Sequence, residues 1–139
     1  MSVAARLDSL ARLREYVMRA ARDLDRATAY RLRLAVDEIA TNAIVHGYGE
    51  AGREGILRIR ADSDERAVRI ILEDSGPPYD PRETLPPDDL GRPLEERQVG
   101  GLGVFLALRG VDEFRYERVG AWNRNVFIVK RQTARTADA

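Results

Sequence analysis

Residues 34–48 read LAVDEIATNAIVHGY and carry the clearest periodic pattern in the sequence. Apolar residues in it and just before it recur at steps of three and four, which is the spacing of an amphipathic helix. They are Leu32, Val36, Ile39 and Ala43. The pattern predicts a helix over residues 29–46, with Thr28 as its N-cap and Gly47 ending it in a left-handed conformation.

Two polar side chains share one face of this predicted helix. Glu38 and Asn42 are four residues apart, so they stand one above the other at the edge of the apolar stripe. A carboxylate and an amide oxygen there can hold a hydrated Mg²⁺ and orient a nucleophile. The alternative is a solvated helix edge, because such pairs are common on helices. Asp37 is either a support for the metal or a surface charge, and His46 is expected to be packed or hydrogen-bonded at the helix end.

On both sides of this helix the chain predicts further helices and strands. Apolar spacing predicts a first helix over residues 8–24, with Asp8 or Ser9 as its cap, and a short third helix ending near Leu108. The predicted strands are residues 56–60, 68–72, 114–118 and 126–130, of which the first two form a β-hairpin. Helices on one face of a mostly antiparallel sheet give an α+β fold, a two-layer sandwich.

Two further motifs follow in the chain. Asp74-Ser-Gly76 ends the second predicted strand, where an Asp can accept a hydrogen bond from an exocyclic amine and a Gly allows a ligand to approach closely. The alternative there is an ordinary turn. The glycines of residues 100–103 precede the third helix, where N–H groups and the helix dipole attract an anion. The alternatives there are a flexible loop end and close helix packing.

Residues 77–98 differ in composition from the rest of the chain. All six prolines lie there, together with a dense set of acidic residues and almost no apolar periodicity. A loop of this length inside a compact domain is usually functional or disordered, so we predict a lid. We therefore expect one domain over residues 1–131 and a disordered tail over residues 132–139.

The bulk composition argues against several classes of protein. The 139 residues include 23 Lys or Arg and 23 Asp or Glu, so no net charge points to nucleic acid or to an acidic membrane. Cysteine is absent, which excludes disulfide frameworks and cysteine metal sites. No apolar run is long enough for a membrane span, and no signal-peptide pattern opens the chain. We expect a cytoplasmic protein without a nucleic-acid or membrane partner.

Taken in order, the three motifs resemble the N, G1 and G2 boxes of the GHKL ATPases, which have the Bergerat fold. Residues 34–48 are similar to the N box of one branch, the anti-sigma regulatory factors, which are serine-protein kinases. Residues 101–106, 111–113 and 116–118 are similar to the C-terminal half of that branch. The resemblance implies an ATP-dependent serine/threonine protein kinase that binds a sigma factor and phosphorylates an anti-sigma-factor antagonist of the STAS fold. It also allows a homodimer.

The resemblance implies roles for individual residues of the first two motifs. Asn42 would ligate Mg²⁺ through its side-chain oxygen, and Glu38 would be the general base toward a Ser or Thr hydroxyl of the partner. Asp74 would bind the adenine amino group of ATP, and Gly76 would let the base lie close.

The resemblance also assigns the phosphates to the third motif and the lid. Gly101, Leu102 and Gly103 would present backbone N–H groups to the phosphates. An arginine of the lid would contact the γ-phosphate, and Arg97 and Arg92 are both candidates for it.

Two other functions would use the same pocket. One is a nucleotide-gated protein-binding module with little or no kinase activity, and the other is a detached catalytic domain of a histidine kinase. Against the second, we find no dimerisation helix with a phospho-accepting His, and His46 lies inside the N box. The anti-sigma branch also opens with a β-strand, for which residues 1–7 are barely long enough.

Overall fold

The computed structural model describes residues 1–49, 54–83 and 101–132, and in them three α-helices cover one face of a five-stranded sheet. The strands are β1 (Ser2–Ala4), β2 (Ile56–Ser63), β3 (Ala67–Asp74), β4 (Glu113–Val119) and β5 (Trp122–Lys130). The helices are α1 (Leu10–Ala20), α2 (Arg26–Asn42) and α3 (Gly101–Arg109). The strand order is β1-β2-β3-β5-β4, and every neighbouring pair is antiparallel. The predicted α+β two-layer sandwich is confirmed.

The two layers meet in one apolar core. α1 lies over β2, while α2 lies over β3 and β5. The helices bury their predicted stripes, which include Leu10, Leu13, Val17, Leu32, Val36 and Ile39. The sheet contributes Leu57, Ile59, Val68, Ile70, Leu72, Phe127 and Val129. Burying one such side chain stabilises the fold by about 1.5–3 kcal/mol. The apolar stripe of α2 therefore faces the core, and only the edge of α2 beside this stripe is available for a functional site.

α1 is shorter than the sequence predicts. A 3-10 turn at Leu7–Ser9 precedes it, and the chain turns again after Ala20. Of the two predicted caps, Ser9 occupies the N-cap position, although it has helical backbone angles and makes no capping hydrogen bond, and Asp8 lies inside the 3-10 turn. The predicted range of 8–24 is too long because Leu24 packs against the core from the turn, after the helix has ended.

α2 begins three residues earlier than predicted, because its N-cap is an aspartate. Asp25 has extended backbone angles, and its carboxylate accepts a hydrogen bond from the Thr28 N at 3.1 Å. Aspartate is among the most favourable N-cap residues. The prediction of Thr28 as the cap is therefore wrong, and Thr28 is buried in the first turn of the helix instead.

The α-helical part of α2 ends at Asn42 and widens into a π-helical turn at Ala43–Gly49. The predicted left-handed end at Gly47 is wrong, because Gly120 alone among the described residues has a positive φ. π-turns in helices are frequent at functional sites, and this one starts directly after Asn42. His46 lies in this turn and is exposed. The prediction that its side chain is packed is therefore wrong.

The first strand, β1, is missing from the element order that the sequence predicts. Val3 pairs with Leu57 of β2, and the Met1 amine donates a hydrogen bond to the Ile59 carbonyl at 2.9 Å. Three residues are too few for an alternating pattern to show, and of the three only Val3 is buried. The opening strand that the anti-sigma branch leads us to expect is therefore present.

Tight turns close both hairpins of the sheet. In the turn between β2 and β3, the Asp64 carboxylate accepts hydrogen bonds from the N–H groups of Arg66 at 2.8 Å and Ala67 at 3.0 Å. Two residues connect β4 to β5, and the first of them, Gly120, has a φ of 58°. A glycine with positive φ at that position suits the turns that match the twist of a hairpin.

The face of the sheet away from the helices carries a row of paired charges. Glu73 forms ion pairs with Arg58 at 3.3 Å and with Arg124 at 2.9 Å, and Arg124 also pairs with Glu117 at 3.1 Å. The hydrogen bond to Glu73 raises the pKa of Arg124. Trp122 follows the β4–β5 turn, and the Arg58 guanidinium stacks over its ring at 3.5 Å. These groups partner one another on the side opposite the core.

We expect the β2–β3 turn to lose stability in acid. Hydrogen bonds, first from the Arg69 side chain and then from the Arg66 and Ala67 N–H groups, lower the pKa of Asp64 from 3.8 to about 2. A carboxylate with a depressed pKa in the folded state stabilises the fold above its unfolded-state pKa, and this stabilisation is lost as the pH falls through the folded-state pKa. Asp64→Asn should therefore be less stable than wild type at neutral pH, and the difference should shrink between about pH 4 and about pH 2. Urea unfolding measured at each pH checks this, and a difference independent of pH would contradict it.

Parts of two predicted segments lie outside the described residues. They are residues 84–98 of the predicted lid and residues 133–139 of the predicted tail. The described part of the lid contains Tyr79 and a 3-10 turn at Pro81–Glu83. Within the described ranges, no helix is long and apolar enough to cross a membrane.

Candidate functional site

The candidate site lies at one end of the sheet, where β3 ends. Asp74 is the last residue of β3, and it pairs with Asn123 of β5. Only 6% of Asp74 and 2% of Asn123 are exposed. Buried carboxylates and amides need hydrogen-bond partners, and the partners of these two residues define the site.

Asp74 is held by the tight turn that follows β3. Its Oδ1 accepts hydrogen bonds from the Gly76 N and from the Asn123 Nδ2, both at 3.0 Å. Gly76 is buried, and its carbonyl accepts a hydrogen bond from the Arg118 Nη1 at 2.8 Å. The carboxylate is therefore oriented by the protein itself, which is what precise recognition of a ligand amine requires.

Asn123 is a site residue that the sequence motifs do not include. Its Oδ1 accepts hydrogen bonds from the Tyr79 N at 3.1 Å and from the Tyr116 hydroxyl. Its Nδ2 donates to Asp74 and to the Pro77 carbonyl, the latter at 2.8 Å. The amide thus uses both donors and both acceptor positions. Through these hydrogen bonds, Asn123 connects the segment that follows β3 to strand β5.

α2 contributes Glu38 and Asn42, which are both half-buried. The Asn42 Nδ2 donates a hydrogen bond to the Tyr79 hydroxyl at 2.8 Å. Because the Tyr79 N in turn donates to Asn123, a continuous path of hydrogen bonds runs from Asn42 through Tyr79 and Asn123 to Asp74. The first two sequence motifs therefore meet in one site.

The third motif opens α3 directly beside Glu38. Residues 101–103 form the first turn of α3. A Cβ added at Gly103 would lie 2.9 Å from the Glu38 Oε2 and 3.3 Å from its carboxyl carbon, so the Glu38 carboxylate occupies the space that a side chain at this position would need. Close helix packing, one of the alternatives for this motif, is thus present at Gly103. The first N–H groups of a helix have no hydrogen-bond partner within the helix, and together with the helix dipole they attract anions. The binding of phosphates by residues 101–103 stays a prediction.

Asp37 faces a different neighbour from Asn42. Its carboxylate accepts two hydrogen bonds from the Arg14 side chain of α1, at 2.8 and 3.2 Å. The hydrogen bond to Asp37 raises the pKa of Arg14. Of the two interpretations that the sequence allows, this ion pair between α1 and α2 favours a surface charge.

An unpaired acceptor lies near Asp74. Asn125 is two residues along β5 from Asn123, so it points to the same face, and only 2% of it is exposed. Its Nδ2 donates to the Leu72 carbonyl at 3.4 Å, whereas its Oδ1 has no hydrogen-bond partner in the described part of the chain. This oxygen is buried, so the Asp74 carboxylate is the group at this end of the sheet that fits an N–H donor of a ligand, such as the amino group of adenine.

The described side chains do not form a metal site of their own. Among the described residues, no group of three or more His, Cys, Asp or Glu could hold a metal ion. Mg²⁺ is usually bound by one or two protein oxygens together with substrate phosphates and water. The oxygens of Glu38 and Asn42 therefore fit Mg²⁺ only if a phosphate-bearing ligand supplies the remaining contacts.

The predicted site residues fall into three groups. Five of them lie in the network of contacts described above, namely Glu38, Asn42, Asp74, Gly76 and Gly103. Gly101 and Leu102 open α3. The two arginine candidates for the γ-phosphate, Arg92 and Arg97, lie outside the described residues. The individual roles of all these residues stay predictions.

Two curated relatives are similar over more than half of this chain. The serine-protein kinase RsbW of Staphylococcus aureus strain Newman is 33% identical over 84 residues, which cover 58% of this chain and 53% of the relative. The anti-sigma F factor of Clostridium novyi strain NT is 36% identical over 87 residues, which cover 62% of this chain and 59% of the relative. The chain thus spans just over half the length of these relatives.

Two solved structures share the fold. The histidine kinase domain of the blue-light activated histidine kinase EL346 from Erythrobacter litoralis aligns with a TM-score of 0.56 at 20% identity, covering 93% of this chain and 62% of that chain. A second structure of that kinase aligns with a TM-score of 0.59 at 20% identity, covering 91% and 42%. At this level of identity the likeness concerns the fold alone.

The family match extends over nearly the whole chain. A model of the family described as "Histidine kinase-like ATPase domain" matches residues 3–129, which include the three sequence motifs and all five strands in whole or in large part. Such a domain implies an ATP site. The chain belongs to the histidine kinase-like ATPase domain family.

Proposed function

We propose that this chain binds ATP with Mg²⁺ and acts as a serine/threonine protein kinase of the anti-sigma type, which phosphorylates an antagonist of the STAS fold. Its family and the names of its relatives, serine-protein kinase and anti-sigma F factor, support the proposal. The observation that carries it is the hydrogen-bonded path from Asn42 to Asp74, because it joins two distant motifs at the place where α3 begins.

In this proposal the nucleotide lies between α2, the end of β3 and the first turn of α3. Asp74 accepts a hydrogen bond from the adenine amino group, and Gly76 leaves room for the base. Residues 101–103 offer N–H groups to the phosphates, where the helix dipole adds to the attraction. Asn42 offers its side-chain oxygen to Mg²⁺.

The proposed transfer needs few protein groups, because phosphoryl transfer is mainly positioning and charge neutralisation. Bound ATP supplies the phosphoryl group, and Mg²⁺ neutralises part of its charge. Glu38 orients a Ser or Thr hydroxyl of the partner and takes its proton while the hydroxyl oxygen bonds to the γ-phosphorus. The bond from that phosphorus to the bridging oxygen breaks, and ADP is released. Arg97 or Arg92 places a positive charge near the γ-phosphate.

A sigma factor is the second partner that we propose, because one relative is named anti-sigma F factor. A homodimer and a cytoplasmic location belong to the same proposal. The formal net charge is zero, so nothing in the charge balance supports direct binding to nucleic acid or to a membrane. Size-exclusion chromatography with light scattering, with and without ADP, tests the homodimer.

We expect Asp74→Asn to weaken ADP binding by about ten- to a hundredfold, because a hydrogen bond to a charged group contributes ~1.5–3 kcal/mol. The amide keeps the shape of the carboxylate but loses its charge. Calorimetric titration with ADP and Mg²⁺ measures the effect. Glu73→Gln is the matched control, since Glu73 is the neighbouring residue and pairs with Arg58 and Arg124 on the opposite face of the sheet. An equal loss of affinity in both variants would count against adenine recognition by Asp74.

The kinase proposal is tested by mass spectrometry of the partner. The chain is incubated with ATP, Mg²⁺ and STAS-domain proteins of the same organism, and each partner is weighed. We expect a gain of one phosphate on Ser or Thr that requires both the chain and ATP. Nucleotide-dependent binding of the partner without a mass gain would support the binding module instead. An acid-labile phosphate on His would support the histidine-kinase alternative.

A further inference from the structure

Tyr79 connects the two halves of the candidate site. Its hydroxyl accepts a hydrogen bond from the Asn42 Nδ2 at 2.8 Å, and its backbone N donates to the Asn123 Oδ1 at 3.1 Å. Tyr79 is 36% exposed, so it lies at the rim and not in the core. Tyr79 carries none of the roles assigned so far, although it touches the residue that is expected to hold the metal.

The contact with Tyr79 involves the donor end of the Asn42 amide. A side-chain amide has a donor end and an acceptor end, and only its oxygen can ligate Mg²⁺. With the Nδ2 turned to the phenol, the Oδ1 points away from Tyr79. An amide rotated by half a turn would present its NH₂ group to the cation and would lose the ligand.

The backbone around Tyr79 is itself held by Asn123, a neighbour of Asp74. Asn123 binds the Tyr79 N and the Pro77 carbonyl on the same segment, and its Nδ2 also donates to Asp74. Pro77 and Pro78 fix two backbone φ angles just before the tyrosine, so the backbone that leads to Tyr79 is stiff. The position of the phenol therefore depends on the turn that also orients the adenine-binding carboxylate.

We propose that Tyr79 is a positioning residue for the metal, which holds the Asn42 amide with its oxygen toward Mg²⁺ and links that orientation to Asp74 through Asn123. The inference rests on the proposed function, because it requires a nucleotide with Mg²⁺ at this site. Tyr79 acts through Asn42 and not by direct contact with the metal.

Calorimetry with ADP tests the inference on the full chain. Affinity is measured with excess Mg²⁺ and with EDTA in its place, and the ratio of the two is the magnesium gain. Tyr79→Phe keeps the ring and removes the hydroxyl. We expect the magnesium gain to fall about three- to tenfold, as for the loss of one hydrogen bond, while the affinity in EDTA stays within about twofold of wild type.

Two further variants separate this role from a general loss of structure. Tyr116→Phe is the matched control, because it removes a hydroxyl that is bonded to the same Asn123 but not to Asn42. It should change the affinity equally with and without Mg²⁺. In an Asn42→Ala background, Tyr79→Phe should not lower the magnesium gain any further, since the amide through which it acts is gone.

The possible outcomes separate the two proposals. A wild-type chain that binds no ADP overturns the proposed function, and the inference with it. A wild-type chain that binds ADP with a magnesium gain that Tyr79→Phe leaves intact overturns the role of Tyr79 alone. The same holds if Tyr79→Phe lowers the gain equally with and without Asn42. A wild-type chain that binds ADP without a magnesium gain overturns the Mg²⁺ part of the proposed function, and the role of Tyr79 with it.

Discussion

Glu38→Ala should slow phosphoryl transfer to the partner by about 10²–10⁴-fold, which is the usual contribution of a positioned general base. Glu38 lies one turn of α2 before Asn42 and beside the first turn of α3, so it is close to the expected phosphate end of the nucleotide. Adenine recognition is assigned to Asp74 on β3, at the other end of the hydrogen-bonded path. We therefore expect the affinity for ADP to change by less than about threefold, as for a group that acts only in the transition state.

The experiment measures single-turnover transfer and ADP affinity side by side for wild type and variants. Glu38→Gln is the matched variant, because it keeps the size of the side chain, removes the base and should lose as much transfer as Glu38→Ala. Complex formation with a sigma factor should survive in both. A parallel loss of affinity and transfer would mean that Glu38 is structural. Unchanged transfer in both variants would remove Glu38 from the chemistry and favour a nucleotide-gated binder.

The two layers of the fold could be predicted because the spacing of apolar residues along a helix or strand shows which of its faces is buried. The stripe on α2 is buried as the sequence predicts, and the alternation in β2 and β3 gives the hairpin. The helix ends could not be predicted as well, because they depend on local competition between caps. Asp25 binds the Thr28 N and starts the helix earlier than the apolar pattern does. β1 could not be predicted from the apolar pattern, because a strand of three residues is too short to show periodicity.

The site could be predicted only where its residues form local motifs. Asp74 and Gly76 stand together in the chain, whereas Asn123 comes 49 residues after Asp74 and meets it only through the register of β3 with β5. Asn123 and Asn125 gave no signal, because the predicted strand covers residues 126–130 and only the structure extends β5 back to Trp122. Tyr79 gave no signal either, since its partner Asn42 comes from a different layer.

Two glycines illustrate the same limit. Gly47 follows the pattern of a helix end, yet its φ is not positive and a Cβ added there would meet nothing within 4 Å. Gly103 is constrained by a contact with Glu38, which lies far away in the chain. The sequence shows where a glycine stands, but the neighbour that a side chain there would displace becomes visible only when two helices are packed together.

That neighbour makes Gly103→Ala a sensitive probe of the site, and we expect it to lower phosphoryl transfer by about 10²-fold. The added methyl would lie 2.9 Å from the Glu38 Oε2, so one of the two groups must move. The Glu38 carboxylate is the end of a flexible side chain, and it will move at little cost to the fold. Alanine also favours a helix over glycine by ~0.5–1 kcal/mol, which offsets that cost. A displacement of ~1 Å at a reacting group can cost about 10²-fold in rate.

Three variants give this prediction its controls. Gly47→Ala adds the same methyl in open space, so it should leave transfer at the wild-type rate, and urea unfolding should show both alanine variants to be about as stable as wild type. In a Glu38→Ala background, Gly103→Ala should cause little further loss of transfer, because the group that it displaces is already absent. A further loss of about 10²-fold in that background would mean that the methyl acts on the phosphates and not on Glu38. Wild-type transfer by the single Gly103→Ala variant would instead mean that Glu38 reaches its working position without the space that this glycine leaves.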